Sequence, residues 1–164
     1  MDRPASSDPA ADRRAATDPT GQVPRGVVAC AFCSTLNRID LTRLSQRPKC
    51  ASCQRPILLD RPVKATAATF DKMLEGTTVP VLVDFYADWC GPCHMMAPTL
   101  DDFASRHSGR ALVLKLDTDA HPTIAGRYGI RGIPTLIAFD RGKERDRHVG
   151  VADLKVLERL TGTA

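Results

Sequence analysis

Residues 79 to 87 read VPVLVDFYA, a run without the polar residue at every second position that a strand with one wet face carries. Apolar side chains on both faces need cover on both faces. The segment is therefore expected to be a central strand between layers of helix, and the fold class to be α/β.

The segments around it supply those layers. Val63 to Ala65 is a short extended piece, and Thr69 to Glu75 reads as a helix capped by Thr66 or Thr69. Pro92 to His107 reads as a longer helix, with Pro92 suited to its first turn and Pro98 expected to kink it. ALVLKLD at residues 111 to 117 is a second buried strand, Pro122 to Tyr128 a short helix, and Ile133 to Asp140 a third long strand. Arg141-Gly142-Lys143 forms a hairpin turn leading to Glu144 to Val149. Val151, Leu154, Leu157 and Leu160 mark one face of a terminal helix near Ala152 to Leu160. The order β-α-β-α-β-α-β-β-α predicts a mixed sheet with helices on both sides.

Upstream of Val63 the texture differs. Residues 1 to 26 are Ala, Asp, Arg, Pro, Ser and Thr with few apolar side chains, and they are expected to form a disordered tail. Residues 27 to 62 number 36, below the roughly 40 at which a chain folds on hydrophobic burial alone, so this module needs a staple. Cys30-x-x-Cys33 and Cys50-x-x-Cys53 supply one, at the 16-residue separation expected of a four-thiolate zinc site. Soft thiolate suits Zn²⁺, and a two-residue gap lets both sulfurs of a knuckle reach one ion.

Charge follows the same division. The whole net charge of +4 lies in residues 27 to 62, where Arg38, Arg43, Arg47, Lys49, Arg55 and Arg61 face only Asp40 and Asp60. These cations are expected to favour the ionised sulfurs of the metal site. Two disulfides, two redox dithiols, or a basic ribbon for nucleic acid are the competing readings. The last has only Phe32 as a stacking platform. The N-terminus shows no apolar signal region, and no apolar run reaches the roughly 18 residues of a membrane span. A cytoplasmic, monomeric protein without membrane or nucleic-acid partners is expected, where cysteines serve as metal ligands or catalysts.

Trp89-Cys90-Gly91-Pro92-Cys93 falls where the buried strand gives way to a helix. Unpaired N–H groups and the positive end of the helix dipole stabilise a thiolate there, which makes Cys90 the expected nucleophile. Cys93, one turn in and more shielded, is expected to attack second. A third zinc knuckle is the alternative, but it has no further cysteines to complete it.

Residues 63 to 164 resemble a thioredoxin, and residues 27 to 164 resemble the zinc-containing bacterial thioredoxins of the thioredoxin 2 type. The resemblance rests on VDFYADWCGPC at residues 83 to 93, Pro98, YGIRGIPTL at residues 128 to 136, the Val149-Gly150 pair and the N-terminal cysteine pairs. It implies a thioredoxin fold preceded by a zinc-ribbon-like module. It further implies that Pro134 is a cis proline facing the dithiol, and that the backbone at Ile133 pairs with an extended substrate. Trp89, Gly91, Pro92, Ile133, Pro134 and Gly150 would form an apolar patch around Cys90. Asp84 would be a buried carboxyl of raised pKa that accepts the Cys93 proton, with Lys115 as its electrostatic partner. Two positions depart from the family. Tyr86 stands where tryptophan is common, and His94 where Lys or Arg is usual, with the potential to make the field on Cys90 depend on pH.

The expected activity is reduction of protein disulfides through Cys90 and Cys93, with electrons supplied from NADPH by a thioredoxin reductase. No Gly-x-Gly-x-x-Gly fingerprint occurs, so neither flavin nor nicotinamide is expected to bind the chain directly. Two other classes compete with this reading: a zinc-switched sensor or chaperone, and an adaptor that docks a partner through the ribbon.

Overall fold

The computed structural model describes residue 17 and residues 20–164; of the tail expected over residues 1–26, residues 1–16, 18 and 19 lie outside the described residues. The described elements open with β1 (Arg25–Ala29) and β2 (Leu36–Asp40), followed by a 3₁₀ helix at Leu41–Gln46. Then come β3 (Val63–Lys64), α1 (Phe70–Gly76), β4 (Val81–Tyr86), α2 (Gly91–Arg106), β5 (Leu112–Asp117) and α3 (Pro122–Arg127). β6 (Thr135–Asp140), β7 (Lys143–Val149) and α4 (Leu154–Thr161) complete it.

Two sheets result. β1 and β2 form an antiparallel hairpin, and the other strands form one mixed sheet in the order β3-β5-β4-β6-β7. β4 lies at its centre, parallel to β5 and antiparallel to β6, with every residue buried. Val81, Val83 and Phe85 face one layer with Phe70, Met73 and Leu74 of α1. Leu82 faces the other, with Met96, Leu100 and Phe103 of α2 and Leu157 and Leu160 of α4. Strand alternation then puts Asp84 on the α2 side, the side that carries Cys90 and Cys93.

The expected elements all form, with ends moved by identifiable residues. β4 starts after Pro80 and β6 after Pro134, since neither proline has an N–H for a ladder. α4 starts at Leu154 because Asp153 caps it, its carboxylate accepting from the Val156 N–H at 2.9 Å. The Thr69 side chain at the start of α1 makes no cap bond; it accepts from the Thr66 N–H at 3.0 Å instead. α2 runs continuously through Pro98, which costs it one backbone donor.

The N-terminal hairpin is joined to the larger sheet by side-chain and backbone bonds at the end of α1. Arg25 N–H donates to Thr78 Oγ1 at 2.9 Å, and Thr78 N–H returns to the Arg25 carbonyl at 2.9 Å. Val27 N–H donates to Thr77 Oγ1 at 3.1 Å, and Ala29 N–H to Met73 Sδ at 3.3 Å. This pairing draws Arg25 and Gly26, assigned to the tail by composition, into β1. Val28, Ile39, Leu41, Ile57 and Leu59 join the same buried cluster as Phe70, Val83 and Phe139, so one hydrophobic core runs through both modules.

Candidate functional site

Cys90 is the N-cap of α2, a 16-residue helix with Pro92 at its start. The backbone N–H of Cys93 points at Cys90 Sγ, 3.2 Å away, and the Ile133 carbonyl oxygen lies 3.8 Å from that sulfur on the other side. A sulfur capping a helix in this way faces the positive end of the dipole, which favours its ionised form once the bond to Cys93 is open. In the structure the two cysteines are joined as a disulfide.

Shielding does not separate them as expected. Cys90 is 2% exposed and Cys93 6%, because each sulfur covers the other and Ile133, Tyr86 and Ala87 pack around both. What separates them is the hydrogen bond that only Cys90 Sγ receives.

The patch residues gather around this pair. The Ile133-Pro134 peptide is cis, and the Pro134 carbonyl accepts from the Gly150 N–H at 2.8 Å, which brings Gly150 to the same rim. Gly91 and Pro92 are exposed in the first turn of α2. Trp89 is 72% exposed, yet its indole N–H donates to Asp119 Oδ2 at 2.7 Å, so the ring is held rather than loose. Met95, Val149 and Val151 are further exposed apolar side chains on the flanking segments. Asp119 was not anticipated; it stands thirty residues from its partner and only the fold unites them. His94 Nε2 lies 2.7 Å from the Asp88 carbonyl, where it closes the loop before α2.

Asp84 is 1% exposed, and its Oδ1 has no hydrogen-bond partner. Burial pushes its carboxyl up from 3.8 to about 6, against the attraction of Lys115, which lowers it. The two residues are register partners on β4 and β5. Lys115 Nζ sits 4.5 Å above the Tyr86 ring, a cation–π contact that holds it in the same neighbourhood. The arrangement sets a disulfide, a buried carboxyl able to hold a proton near neutral pH, and an apolar surface in one place.

A second cluster lies in the N-terminal module. Cys30, Cys33, Cys50 and Cys53 bring their sulfurs within 4.8 Å of one another, with Cys30–Cys53 and Cys33–Cys50 both at 3.6 Å. A tetrahedral ion with metal–sulfur bonds of ~2.3 Å places its sulfurs about 3.8 Å apart, so the four thiols fit such an ion. The two knuckles repeat one geometry. Ser34 N–H donates to the Cys30 carbonyl and Gln54 N–H to the Cys50 carbonyl, at 2.9 and 3.0 Å, with Ser34 and Gln54 both left-handed.

Short-range polar groups act on three of the four sulfurs. The Cys53 and Ser52 N–H groups and the Asn37 amide hold the Cys50 thiol at about 6 against burial. Thr35 lowers Cys33. At Cys53 the Arg55 N–H pulls down, but burial and the neighbouring sulfurs outweigh it and raise the thiol to about 11. The groups that lower these thiols are backbone N–H groups, Thr35 and Asn37, all at short range. Asn37 was missed in the sequence. Its Nδ2 donates to the Thr35 carbonyl at 2.8 Å and lies 3.5 Å from Cys50 Sγ, while its Oδ1 accepts from Ala51 N–H at 2.9 Å. An asparagine flanked in alternation by Thr35 and Ile39 on a short strand was the available signal.

Comparison with known proteins bears on both clusters. The family model described as Thioredoxin matches residues 61–161, and the model described as Thioredoxin 2, N-terminal, a zinc ribbon, matches residues 29–55. The chain is 44% identical to Thioredoxin 1 of Nostoc sp. over 96 residues, which is 58% of this chain and 90% of that protein. It is 33% identical to Thioredoxin C-3 of Corynebacterium nephridii over 132 residues, 80% of this chain and 89% of that one. Among solved structures it is similar to that of a point mutant of thioredoxin from Halobacterium salinarum, with a TM-score of 0.59 at 35% identity, covering 65% of this chain and 93% of that one.

Proposed function

The chain belongs to the thioredoxin family of protein-disulfide oxidoreductases, and from that premise we propose that it works in the reducing direction, opening disulfides of client proteins. Cys90 thiolate attacks one sulfur of the client disulfide, whose S–S bond breaks as a Cys90–client bond forms. The departing client sulfur leaves with the electron pair and takes up a proton. Cys93 then loses its proton to the Asp84 carboxylate and attacks Cys90 Sγ. The second client sulfur is released, and the Cys90–Cys93 disulfide remains. Two electrons have moved from the dithiol to the client.

Each group has a supporting observation. The single one that carries the reading is the Cys93 N–H directed at Cys90 Sγ at the start of α2, which favours a thiolate at residue 90. The raised carboxyl of Asp84 suits it to accept a proton near neutral pH, and Lys115 positions and moderates its charge. The Ile133 backbone is available to pair with an extended client segment, while Trp89, Gly91, Pro92, Pro134 and Gly150 provide its apolar seat. Re-reduction draws electrons from NADPH through thioredoxin reductase, in the reducing setting of the cytoplasm.

Cys30, Cys33, Cys50 and Cys53 would hold one structural Zn²⁺, which would cross-link the two knuckles. Insulin-disulfide reduction with NADPH and thioredoxin reductase tests the redox reading: wild type is expected to turn over and Cys90→Ser to be inactive. An inactive wild type would defeat it. Metal analysis of the purified protein is expected to give about one zinc per chain.

A further inference from the structure

In residues 27–62 six arginines and lysines stand against two aspartates, and one feature of the ribbon gives that charge a use. Between the first cysteine knuckle, the segment that follows the second, and the outer strand β3 lies a cavity of about 440 Å³ lined by Phe32, Ile57, Leu58, Val63, Arg61 and Lys64, among others. Its volume falls in the range of sites that take a side chain or a small ligand. Phe32 is 53% exposed and Leu58 41%, so two large apolar side chains of the ribbon stand in water at this one place. Nothing in the redox reading requires that exposure.

The rim is cationic. Arg55 lies over the Phe32 ring, 4.4 Å from its centre, and so keeps its charge at the cavity mouth. Lys64 is exposed and makes no ion pair among the described residues. Arg61 is paired with Asp60 at 3.0 Å, but both side chains are more than half exposed, and such a pair exchanges readily for another carboxylate. An apolar floor under a basic rim selects for carboxylates flanking an aliphatic side chain. A polynucleotide fits less well, since Phe32, the aromatic side chain of the cavity, is already covered by Arg55.

We propose that this cavity docks an acidic segment of a partner protein, seating one aliphatic side chain against Leu58 and Phe32 and placing flanking carboxylates on Arg61 and Lys64. The site is built by the ribbon and β3, apart from the Trp89 surface around the dithiol. It adds a second point of attachment, and its occupancy does not depend on the state of Cys90 and Cys93.

The test is direct binding of a fluorescently labelled peptide, a single leucine flanked on both sides by Asp and Glu, to the full-length metal-loaded protein. The readout is anisotropy, so its failure leaves the insulin assay and the redox reading untouched. Saturable binding that weakens with salt is expected. Leu58→Asp and Lys64→Glu, both at exposed positions, are each expected to weaken it about tenfold or more. Arg43→Glu changes the ribbon charge equally but lies outside the cavity, and is expected to leave affinity within about twofold. Four results would each overturn the proposal. They are no binding, equal binding of a peptide with serine in place of the leucine, a loss on Arg43→Glu as large as on Lys64→Glu, and tighter binding of oligothymidylate than of the peptide.

Discussion

Asp84 and Lys115 are paired in register on adjacent parallel strands, yet Lys115 Nζ lies over the Tyr86 ring and Asp84 Oδ1 has no hydrogen-bond partner. Attraction without contact leaves the buried carboxylate only partly compensated, which is why its carboxyl rises to about 6.

Because that value exceeds the ordinary 3.8, the folded protein keeps a proton there that the unfolded chain has released. Stability contributed by this group is complete below about pH 4, falls as pH rises to 6, and stays reduced above. The upward shift corresponds to about 3 kcal/mol, an upper bound for a site with one attractive neighbour. Asp84→Asn is expected to gain stability at pH 8 and little or nothing at pH 4. Urea unfolding of both proteins at both pH values checks it, the difference between them cancelling the pH dependence of the metal site. An equal gain at pH 4 and 8 would show that the carboxyl is not held protonated by burial.

Gly76 ends α1 where Val27 of β1 crosses it, and a Cβ built at Gly76 runs into Val27 Cγ2. The contact is between a helix end and a strand that are both fixed by Thr77 and Thr78, so neither can retreat easily. Gly76→Ala is expected to destabilise the protein by about 1–3 kcal/mol. The double variant with Val27→Ala is expected to recover a large part of that loss. Denaturant midpoints of the two single variants and the double variant measure the coupling, and simple additivity would refute the close approach.

The sheet was legible because β4 has no polar alternation and because Cys90 to Cys93 marks the turn from strand to helix, so local pattern and tertiary role coincide. The metal cluster was legible for a similar reason, as two knuckles announce themselves by spacing. The seam between the modules was not. Arg25, Val27, Thr77 and Thr78 meet through side-chain-to-backbone bonds across some fifty residues, which leave no periodicity to read. The placement of the ribbon's arginines was not legible, since their number says nothing about which way each one points. The near-equal burial of Cys90 and Cys93 comes from Ile133 and from the disulfide itself, neither of which the order of residues in the motif reveals.

Asn37 ties the two knuckles together, bonding Thr35 beside the first, and Ala51 N–H and Cys50 Sγ in the second. Removing a buried, fully used amide strands its partners at a cost of about 1–3 kcal/mol. Asn37→Ala is expected to keep all four ligands but to hold zinc about 10–100-fold more weakly, with faster transfer to a chromogenic chelator. Asn37→Asp keeps the acceptor for Ala51 N–H but loses the donors to Thr35 and Cys50 and sets a negative charge beside a thiolate, so it is expected to hold zinc no better than Asn37→Ala. Unchanged transfer rates in both variants would reduce Asn37 to a packing residue.

Metal removal provides the broadest test, because the ribbon and the sheet share one core. Val28, Ile39 and Ile57 are buried in the same cluster as Phe70, Val83 and Phe139, so loosening the cysteine knuckles withdraws apolar cover from the face of the sheet packed on α1. A structural ion that binds only the folded chain adds its binding free energy to folding. Trp89 is the sole tryptophan, sits beside the dithiol, and reports the sheet rather than the ribbon. Thermal unfolding followed by Trp89 fluorescence is expected to shift down by on the order of 10 °C after chelation and dialysis, as a single transition. Metal release followed in the same scan of the loaded protein is expected to coincide with it. If the knuckles were a tethered bead with a core of their own, Trp89 would unfold at the same temperature with and without the ion, and release would come first.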